Sequence, residues 1–121
     1  MKILIILIGL LLSASLLAGG FEIFRVGEKF IEFKVIKNAV ISKNCSRSIS
    51  KCDAYEYLDN PPKIKFQKED FLGGKNPGVV ICQKFNDTSI SIGRDLNGNQ
   101  QSFCVFKDGS MLSTGILIGL Y

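Results

Sequence analysis

Four cysteines, Cys45, Cys52, Cys82 and Cys104, constrain the fold of this 121-residue chain more than any other feature. In an exported protein, an even number of cysteines indicates a disulfide framework, and four cysteines allow three pairings. Proximity along the chain favours Cys45 with Cys52 and Cys82 with Cys104. In the chain-entropy treatment these bridges contribute about 2.5 and about 3.4 kcal/mol to stability. A four-thiolate metal site is the alternative, but its close cysteine pairs are spaced differently from these.

The first twenty residues show the order of features of a secretory signal peptide. Lys2 supplies the positive start, a predominantly apolar run covers residues 3–18, and Ala18 and Gly20 are small residues suited to cleavage. We predict a signal peptide over residues 1–20, cleaved after Gly20 or after Ala18. An uncleaved membrane anchor is the alternative, although the apolar run is shorter than the roughly 20 residues that a spanning helix needs. The mature protein is therefore expected to be periplasmic or secreted, with no membrane span.

The composition of the remaining chain is that of a small globular protein. Removing twenty residues, one of which is a lysine, leaves 101 residues with a formal net charge of +3. All nine phenylalanines remain and are enough for a thin hydrophobic core. The chain has no histidine, which excludes Ser-His-Asp and Cys-His catalysis and metal sites that need imidazole. Because the positive charge is small and not clustered among aromatic residues, nucleic acid is not expected as a partner.

The mature chain begins with a pattern typical of a β-hairpin. Apolar and polar residues alternate over residues 31–36, a glycine-containing turn at residues 27–29 precedes them, and another strand is expected over residues 21–26. A third short strand is expected at residues 39–42. We assign residues 21–58 to an N-terminal β-hairpin unit. Core packing explains its phenylalanine-rich stripe, and a surface that binds a partner is the alternative interpretation.

The middle of the chain is less regular. Ser50 and Asp53 have the Ser-x-x-Asp spacing of a helix start, and residues 54–58 continue this helix for a turn or two. Alternation over residues 63–66 favours a short strand. We interpret residues 59–75 as the joint between the two halves of the protein.

A short buried helix is predicted at the start of the C-terminal unit, residues 76–121. Asn76 is a good N-cap, and proline is favoured at the position that follows it, the first of a helix. The helix is expected to run from Pro77 to about Phe85, where tertiary packing has to compensate for the weak helix propensity of its valines.

Three strands are predicted to follow as an antiparallel meander, at residues 89–92, 100–106 and 110–118. An Asn-Gly pair at residues 97–98 and an Asp-Gly pair at residues 108–109 supply the turns. The predicted fold class is α+β: a small disulfide-stapled protein with an N-terminal β-hairpin and a C-terminal short helix packed on the meander. In this layout Cys82 on the helix can reach Cys104 on the middle strand.

The C-terminal unit resembles a family of small bacterial domains. Asn76-Pro77 ahead of Cys82, then Gly98, then the run SFCVFKDGS at residues 102–110, is similar to domain of unknown function family 333, often labelled putative hemolysin. The resemblance covers residues 74–117, little more than a third of the chain. It implies an exported bacterial protein in which Cys82 and Cys104 are bridged. It implies no reaction.

One loop has a partial calcium-binding pattern. Asp95, Asn97 and Asn99 alternate as oxygen ligands do in a calcium loop, but Gln100 and Phe106 stand where glycine and glutamate are needed. We therefore predict a hairpin turn here rather than a metal site.

The remaining charged residues predict no catalytic site. Adjacent Glu69 and Asp70 point in different directions in a helix or a strand, so surface solvation is favoured over paired acid–base catalysis. Lys63, Lys65 and Lys68 could attract anionic headgroups or an acidic partner, and an ordinary solvated face explains them as well. The predicted site residues are therefore only the disulfide cysteines, without a catalytic residue, metal or cofactor.

The expected function is that of a non-catalytic exported protein of the bacterial envelope. We expect it to bind an unidentified protein or cell-wall component through its strands. The alternative is a membrane-active, hemolysin-like secreted factor, as the family label suggests. The apolar tail at residues 116–121 is expected to complete the last strand, and a partner-binding edge is its alternative role.

Overall fold

A computed structural model of the protein describes residues 20–45 and 52–121. Its main feature is a closed barrel of six antiparallel strands in the order β1-β2-β3-β6-β5-β4, with β4 pairing back onto β1. The strands are β1 (Phe21–Val26), β2 (Lys29–Ile36), β3 (Ala39–Ser42), β4 (Ser89–Asp95), β5 (Gln100–Val105) and β6 (Met111–Ser113).

Three α-helices accompany the described strands: α1 (Asp53–Asp59), α2 (Pro77–Lys84) and α3 (Thr114–Leu117). Short 3-10 helices cover Lys43–Cys45, Lys68–Phe71 and Ile118–Leu120. The predicted helix at residue 77 is confirmed, and the Asn76 side chain accepts hydrogen bonds from the backbone N–H groups of Gly78 and Val79, at 3.0 and 3.4 Å. The α+β class is also confirmed.

The predicted arrangement of a separate hairpin and meander is wrong. The N-terminal and C-terminal strands form one barrel, because Arg25 of β1 lies opposite Arg94 of β4, and Ile41 of β3 lies opposite Leu112 of β6. Hydroxyl groups reinforce the second junction: Ser42 accepts from the N–H of Met111 at 2.9 Å, and Ser113 accepts from the N–H of Val40 at 3.3 Å. Closure gives the edge strands partners, which a hairpin and a meander would have left exposed.

Two further strand predictions are wrong. Residues 63–66 form no regular element, and the strand expected at residues 110–118 ends at Ser113. Helix α3 begins there instead and buries Leu117 completely. Its close contact with α2 depends on Gly78, where a Cβ atom would lie 2.7 Å from the carbonyl carbon of Thr114 and closer still to the oxygen. Packing against α2 therefore favours a helix over a longer strand.

Two predictions fall on residues outside the described ranges. These are the signal peptide, apart from Gly20, and the helix-capping role of Ser50. The helix itself is present and begins at Asp53.

Three phenylalanines fill the interior of the barrel. Phe24, Phe33 and Phe103 are 3%, 0% and 0% exposed, and the stacked rings of Phe33 and Phe103 have centroids 4.5 Å apart. Gly93 leaves room for this cluster, since a Cβ atom there would lie 2.8 Å from the Phe103 ring. The inward half of the phenylalanine stripe is therefore core, as predicted.

A second core lies between the barrel and the helices. Its buried members include Ala39, Ile41, Tyr57, Ile81, Phe106, Leu112 and Leu117, together with the four cysteines. Disulfides join Cys45 to Cys52 and Cys82 to Cys104, with Cα atoms 5.2 and 5.7 Å apart. The second bridge ties α2 to β5, as the sequence predicts.

Candidate functional site

The outer surface of three neighbouring strands, β4, β1 and β2, is exposed and carries large side chains. We call it the exposed strand face and define it by Phe21, Ile23, Arg25, Phe30, Ile92 and Arg94. The four apolar members, Phe21, Ile23, Phe30 and Ile92, have exposed fractions of 59%, 38%, 68% and 51%. The four lie on three hydrogen-bonded neighbouring strands, and exposed apolar residues grouped in this way mark an interaction site more often than isolated residues do.

The alternation of side chains along each strand creates this face. Successive side chains on a strand point to opposite faces, and Phe24 of β1 and Phe33 of β2 point into the barrel. Phe21 and Phe30 each lie three positions earlier on the same strand, so they point outward. The core interpretation of the phenylalanine stripe therefore holds for the inward residues only. The inward rings form core, and the outward rings lie on the surface.

Two arginines lie directly opposite each other on the exposed strand face. Arg25 of β1 is the register partner of Arg94 on β4, and on its other side it lies opposite Phe30 of β2. The two arginines, Gly27 and Ile92 line a shallow pocket of about 300 Å³. Arg25 donates from Nε to the carbonyl oxygen of Gly27 at 3.2 Å. Among the ion pairs of residues 20–45 and 52–121, none involves either guanidinium.

Other charges near this face already have partners. Glu32, which lies opposite Ile23, forms an ion pair with Lys43 at 2.7 Å. Lys34 places its ammonium nitrogen 6.0 Å from the centre of the Phe21 ring. Glu32 is therefore neutralised by Lys43, and neither arginine of the face forms an ion pair within the described chain.

A larger groove of about 650 Å³ lies beside α1. Acidic side chains line it, together with Tyr57, Phe85 and Lys107; the carboxylates are those of Asp53, Glu56, Asp59 and Asp87. The Tyr57 hydroxyl lies 2.7 Å from that of Tyr121, and burial together with this hydrogen bond raises the pKa of Tyr57 above its usual range. Within the described chain, no group of three or more acidic or cysteine residues has a geometry suited to a metal ion.

The Asp108-Gly109-Ser110 turn caps helix α1. The backbone N–H of Asp53 donates to the Asp108 carboxylate at 2.9 Å, and the N–H of Ala54 donates to the Ser110 hydroxyl at 3.0 Å. Asp108 also accepts from the backbone N–H of Ser110 at 2.9 Å. These bonds satisfy donors that the helix itself leaves without partners. Helix α1 is thus capped by a turn more than fifty residues away along the chain, whereas the sequence predicts a local cap.

Replacing Asp108 with asparagine should change the acid sensitivity of the protein. Burial raises the pKa of Asp108, but hydrogen bonds from the Asp53 and Ser110 N–H groups and the Ser110 hydroxyl outweigh it, so the net pKa is lowered. The charged form therefore stabilises the fold at pH values above the unfolded pKa, near 3.8, and this contribution is lost as the pH falls through the folded pKa. In urea titrations, the wild type should exceed Asp108→Asn in stability most at neutral pH, and the difference should shrink below about pH 4.

A matched control for this experiment is Glu28→Gln, which removes an exposed carboxylate from a β-turn. Its difference from the wild type should be small and vary little with pH. A difference for Asp108→Asn that stays constant from neutral to acid pH would contradict the capping role of the charge.

The other acidic residues singled out in the sequence have structural roles. Asp70 accepts from the N–H of Gln67 at 2.8 Å and pairs with Lys84 at 3.0 Å, and these contacts lower the pKa of Asp70. Glu69, beside it in the same 3-10 helix, is exposed. Among the described residues, these two carboxylates line a pocket with Lys75, Gln83 and Lys84, of which Lys84 is already paired with Asp70.

The predicted hairpin turn at residues 95–99 is confirmed. Asp95 accepts from the N–H groups of Asn97 and Asn99 at 2.9 and 2.8 Å, and the hydrogen bonds of Asn99 are the largest cause of the lowered pKa of Asp95. Both carboxylate oxygens are thus engaged by N–H donors of the turn, the second by the Asn99 side chain at 3.1 Å.

The pairing of Arg25 with Arg94 could not be predicted from the sequence. The alternation of residues 31–36 predicts on which side of β2 each residue lies. It does not predict the strand that lies on the far side of Arg25, which belongs to β1. The register between β1 and β4, however, joins distant parts of the chain, and no local pattern encodes it. The lysines that could attract an anionic partner, Lys63, Lys65 and Lys68, lie outside the exposed strand face.

None of the described helices has the length and apolar character needed to cross a bilayer. The two disulfides are typical of a protein that folds in an oxidising compartment, extracellular or periplasmic. The chain matches no protein-family model, no curated protein and no solved structure. The resemblance of residues 74–117 to domain of unknown function family 333 therefore stays a prediction.

Proposed function

We propose that this protein is a non-catalytic exported binding module of the bacterial envelope. It contacts a protein or a cell-wall component through the exposed strand face. The observation that carries the proposal is the grouping of Phe21, Ile23, Phe30 and Ile92 around Arg25 and Arg94 on one side of a closed barrel.

The chemistry of the face suits binding. Aromatic residues and arginine are the types enriched where proteins bind partners, because they combine large contact area with directional hydrogen bonds. The strands beneath them are held by two hydrogen-bonded neighbours each, so the face is ordered before it meets a partner. Preorganised side chains lose less conformational entropy on binding.

Export is supported by two independent features. The order of residues 1–20 is that of a signal peptide, and the two disulfides require an oxidising environment to persist. The resemblance to domain of unknown function family 333 supports a bacterial envelope location. A periplasmic and a secreted protein share these features.

The proposal is tested by replacing Phe30 with serine and measuring binding to fractionated bacterial envelope: soluble proteins, purified cell wall and membranes. Phe30 is 68% exposed, so the variant should fold as the wild type does and should lose binding about tenfold or more if the ring is part of the contact. Leu72→Ser is the control, since Leu72 is 63% exposed outside the face. Equal binding by the wild type and both variants, or no binding to any fraction, would refute the proposal.

A second candidate function is the membrane-active, hemolysin-like factor. The exposed ring of Phe30 opposite Arg25 and that of Phe21 opposite Lys34 favour it, because aromatic and basic side chains are those that insert at anionic bilayer surfaces. Dye release from anionic vesicles separates the candidates. A dose-dependent leak that Phe30→Ser abolishes would support the membrane-active function, and no leak at micromolar protein would remove it.

A further inference from the structure

We propose that Arg25 and Arg94 form a binding site for a phosphate group. This inference deepens the proposed function, on which it rests, by naming the chemistry that the exposed strand face recognises. The phosphate is carried by a phosphodiester polymer, in keeping with the cell-wall component of the proposed function, and a phospholipid headgroup and the free ion are the outcomes that the test separates from it.

The pairing of Arg25 with Arg94 is expected to lower the stability of the sheet. Like charges directly opposite each other on neighbouring strands destabilise a sheet. Arg25 and Arg94 are such a pair, and no ion pair of the described residues includes either of them. The charges that form ion pairs in the described chain lie 2.7–3.0 Å from an opposite charge, whereas Arg25 and Arg94 face each other, so their arrangement needs a reason other than stability.

The pocket between the two arginines has the size and the hydrogen-bond donors that a phosphate group needs. The two arginines share a concave pocket of about 300 Å³ with Gly27 and Ile92, which is ample for a phosphate group. A guanidinium carries five N–H donors in a planar fork that matches phosphate oxygens. The Nε of Arg25 donates a hydrogen bond to the Gly27 carbonyl oxygen. This bond orients the guanidinium and leaves its other N–H donors available.

Apolar side chains lie beside the two arginines. Ile92 forms one wall, and Phe30 lies opposite Arg25 on the neighbouring strand. Apolar neighbours lower the local dielectric and strengthen a contact between a guanidinium and an anion. They also offer contact area to whatever carries the phosphate. A free phosphate ion would use the arginines alone, so the whole face fits a phosphate attached to a larger component.

The site is tested by titrating the protein with sodium polyphosphate at fixed ionic strength and measuring the dissociation constant by calorimetry. Arg94→Gln should weaken binding about tenfold or more, because it removes a charged fork from the phosphate. Lys65→Gln is the matched control: it removes one exposed charge outside the face and should change the dissociation constant less than about twofold. The dependence of affinity on salt should also become weaker in Arg94→Gln alone.

A stability measurement separates a ligand site from a structural role. Because Arg94 faces a like charge, Arg94→Gln should melt at the same temperature as the wild type or above it while losing phosphate binding. A lower melting temperature would indicate that Arg94 supports the fold. Equal loss of affinity in Arg94→Gln and Lys65→Gln would show diffuse charge attraction. Either result would overturn the proposal, as would a wild type that binds no phosphate probe.

Three further arms identify the source of the phosphate. Poly(glycerol phosphate) tests a phosphodiester polymer, vesicles of phosphatidylglycerol and phosphatidylcholine compared with phosphatidylcholine alone test a lipid headgroup, and inorganic phosphate tests the free ion. Binding to the vesicles that depends on Arg94, without binding to poly(glycerol phosphate), would overturn the assignment of the carrier. Phosphate binding that depends on Arg94, without binding to any envelope fraction, would support the site and refute the proposed function. Envelope binding that depends on Phe30, without binding to any phosphate probe, would support the function and refute the site.

Discussion

The protein with Phe33 replaced by alanine should be less stable by about 3–5 kcal/mol, the cost of truncating a fully buried aromatic side chain. Phe33 is 0% exposed and contacts both other rings of the barrel interior: its centroid lies 5.4 Å from that of Phe24 and 4.5 Å from that of Phe103. The closed barrel surrounds this site with strands, so it cannot collapse around the cavity. Urea unfolding followed by circular dichroism measures the change.

The matched control is Phe30→Ala on the same strand. Phe30 points outward and is 68% exposed, so its removal should change the free energy of unfolding by no more than about 0.5 kcal/mol. If the two variants lost similar amounts of stability, the assignment of inward and outward faces on β2 would be wrong.

The second large effect is expected on removing the bridge between Cys82 and Cys104. Replacing both residues with alanine should lower stability by about 3.4 kcal/mol, because the loop that the bridge closes becomes free in the unfolded chain. The bridge also ties α2 to the middle strand of β4, β5 and β6, and both cysteines are 0% exposed. The loss of tight packing at this site adds to the entropic term.

The bridge between Cys45 and Cys52 provides the comparison. It closes a shorter loop, with a sequence separation of 7 against 22, so replacing both of its cysteines should cost less, about 2.5 kcal/mol. Thermal and urea unfolding of the two double variants, measured without reductant, tests the order. A larger loss for the Cys45 and Cys52 variant would contradict the loop-length argument.

The local elements were predicted well because their signals are local. Asn76 caps the helix that begins at Pro77, and the Asn-Gly pair at residues 97–98 turns β4 into β5. Each of these signals concerns backbone groups within a few residues of one another. The helix at Asp53 was also predicted, but the cap that the structure shows comes from Asp108 and Ser110 in a turn between distant strands.

The candidate site could be predicted only in part. Alternation around Phe33 indicates that the hairpin has two faces, and a surface that binds a partner was one interpretation of its phenylalanines. That Phe30 stays exposed depends on the helices covering other strands of the barrel. The juxtaposition of Arg25 with Arg94 depends on barrel closure.

Local patterns in the sequence predict where β1 to β5 lie, the helix at Pro77 and the favoured disulfide pairs. These follow from periodicity, capping and turn chemistry, which act over short distances. The pairing of β1 with β4 and of β3 with β6 depends on tertiary packing, and so does the folding of the tail as α3 instead of a strand. A strand offers hydrogen bonds on two edges, and alternation does not specify which distant strand accepts them. The choice is made by the cores that form on closure, around Phe33 inside the barrel and around Leu117 beneath the helices.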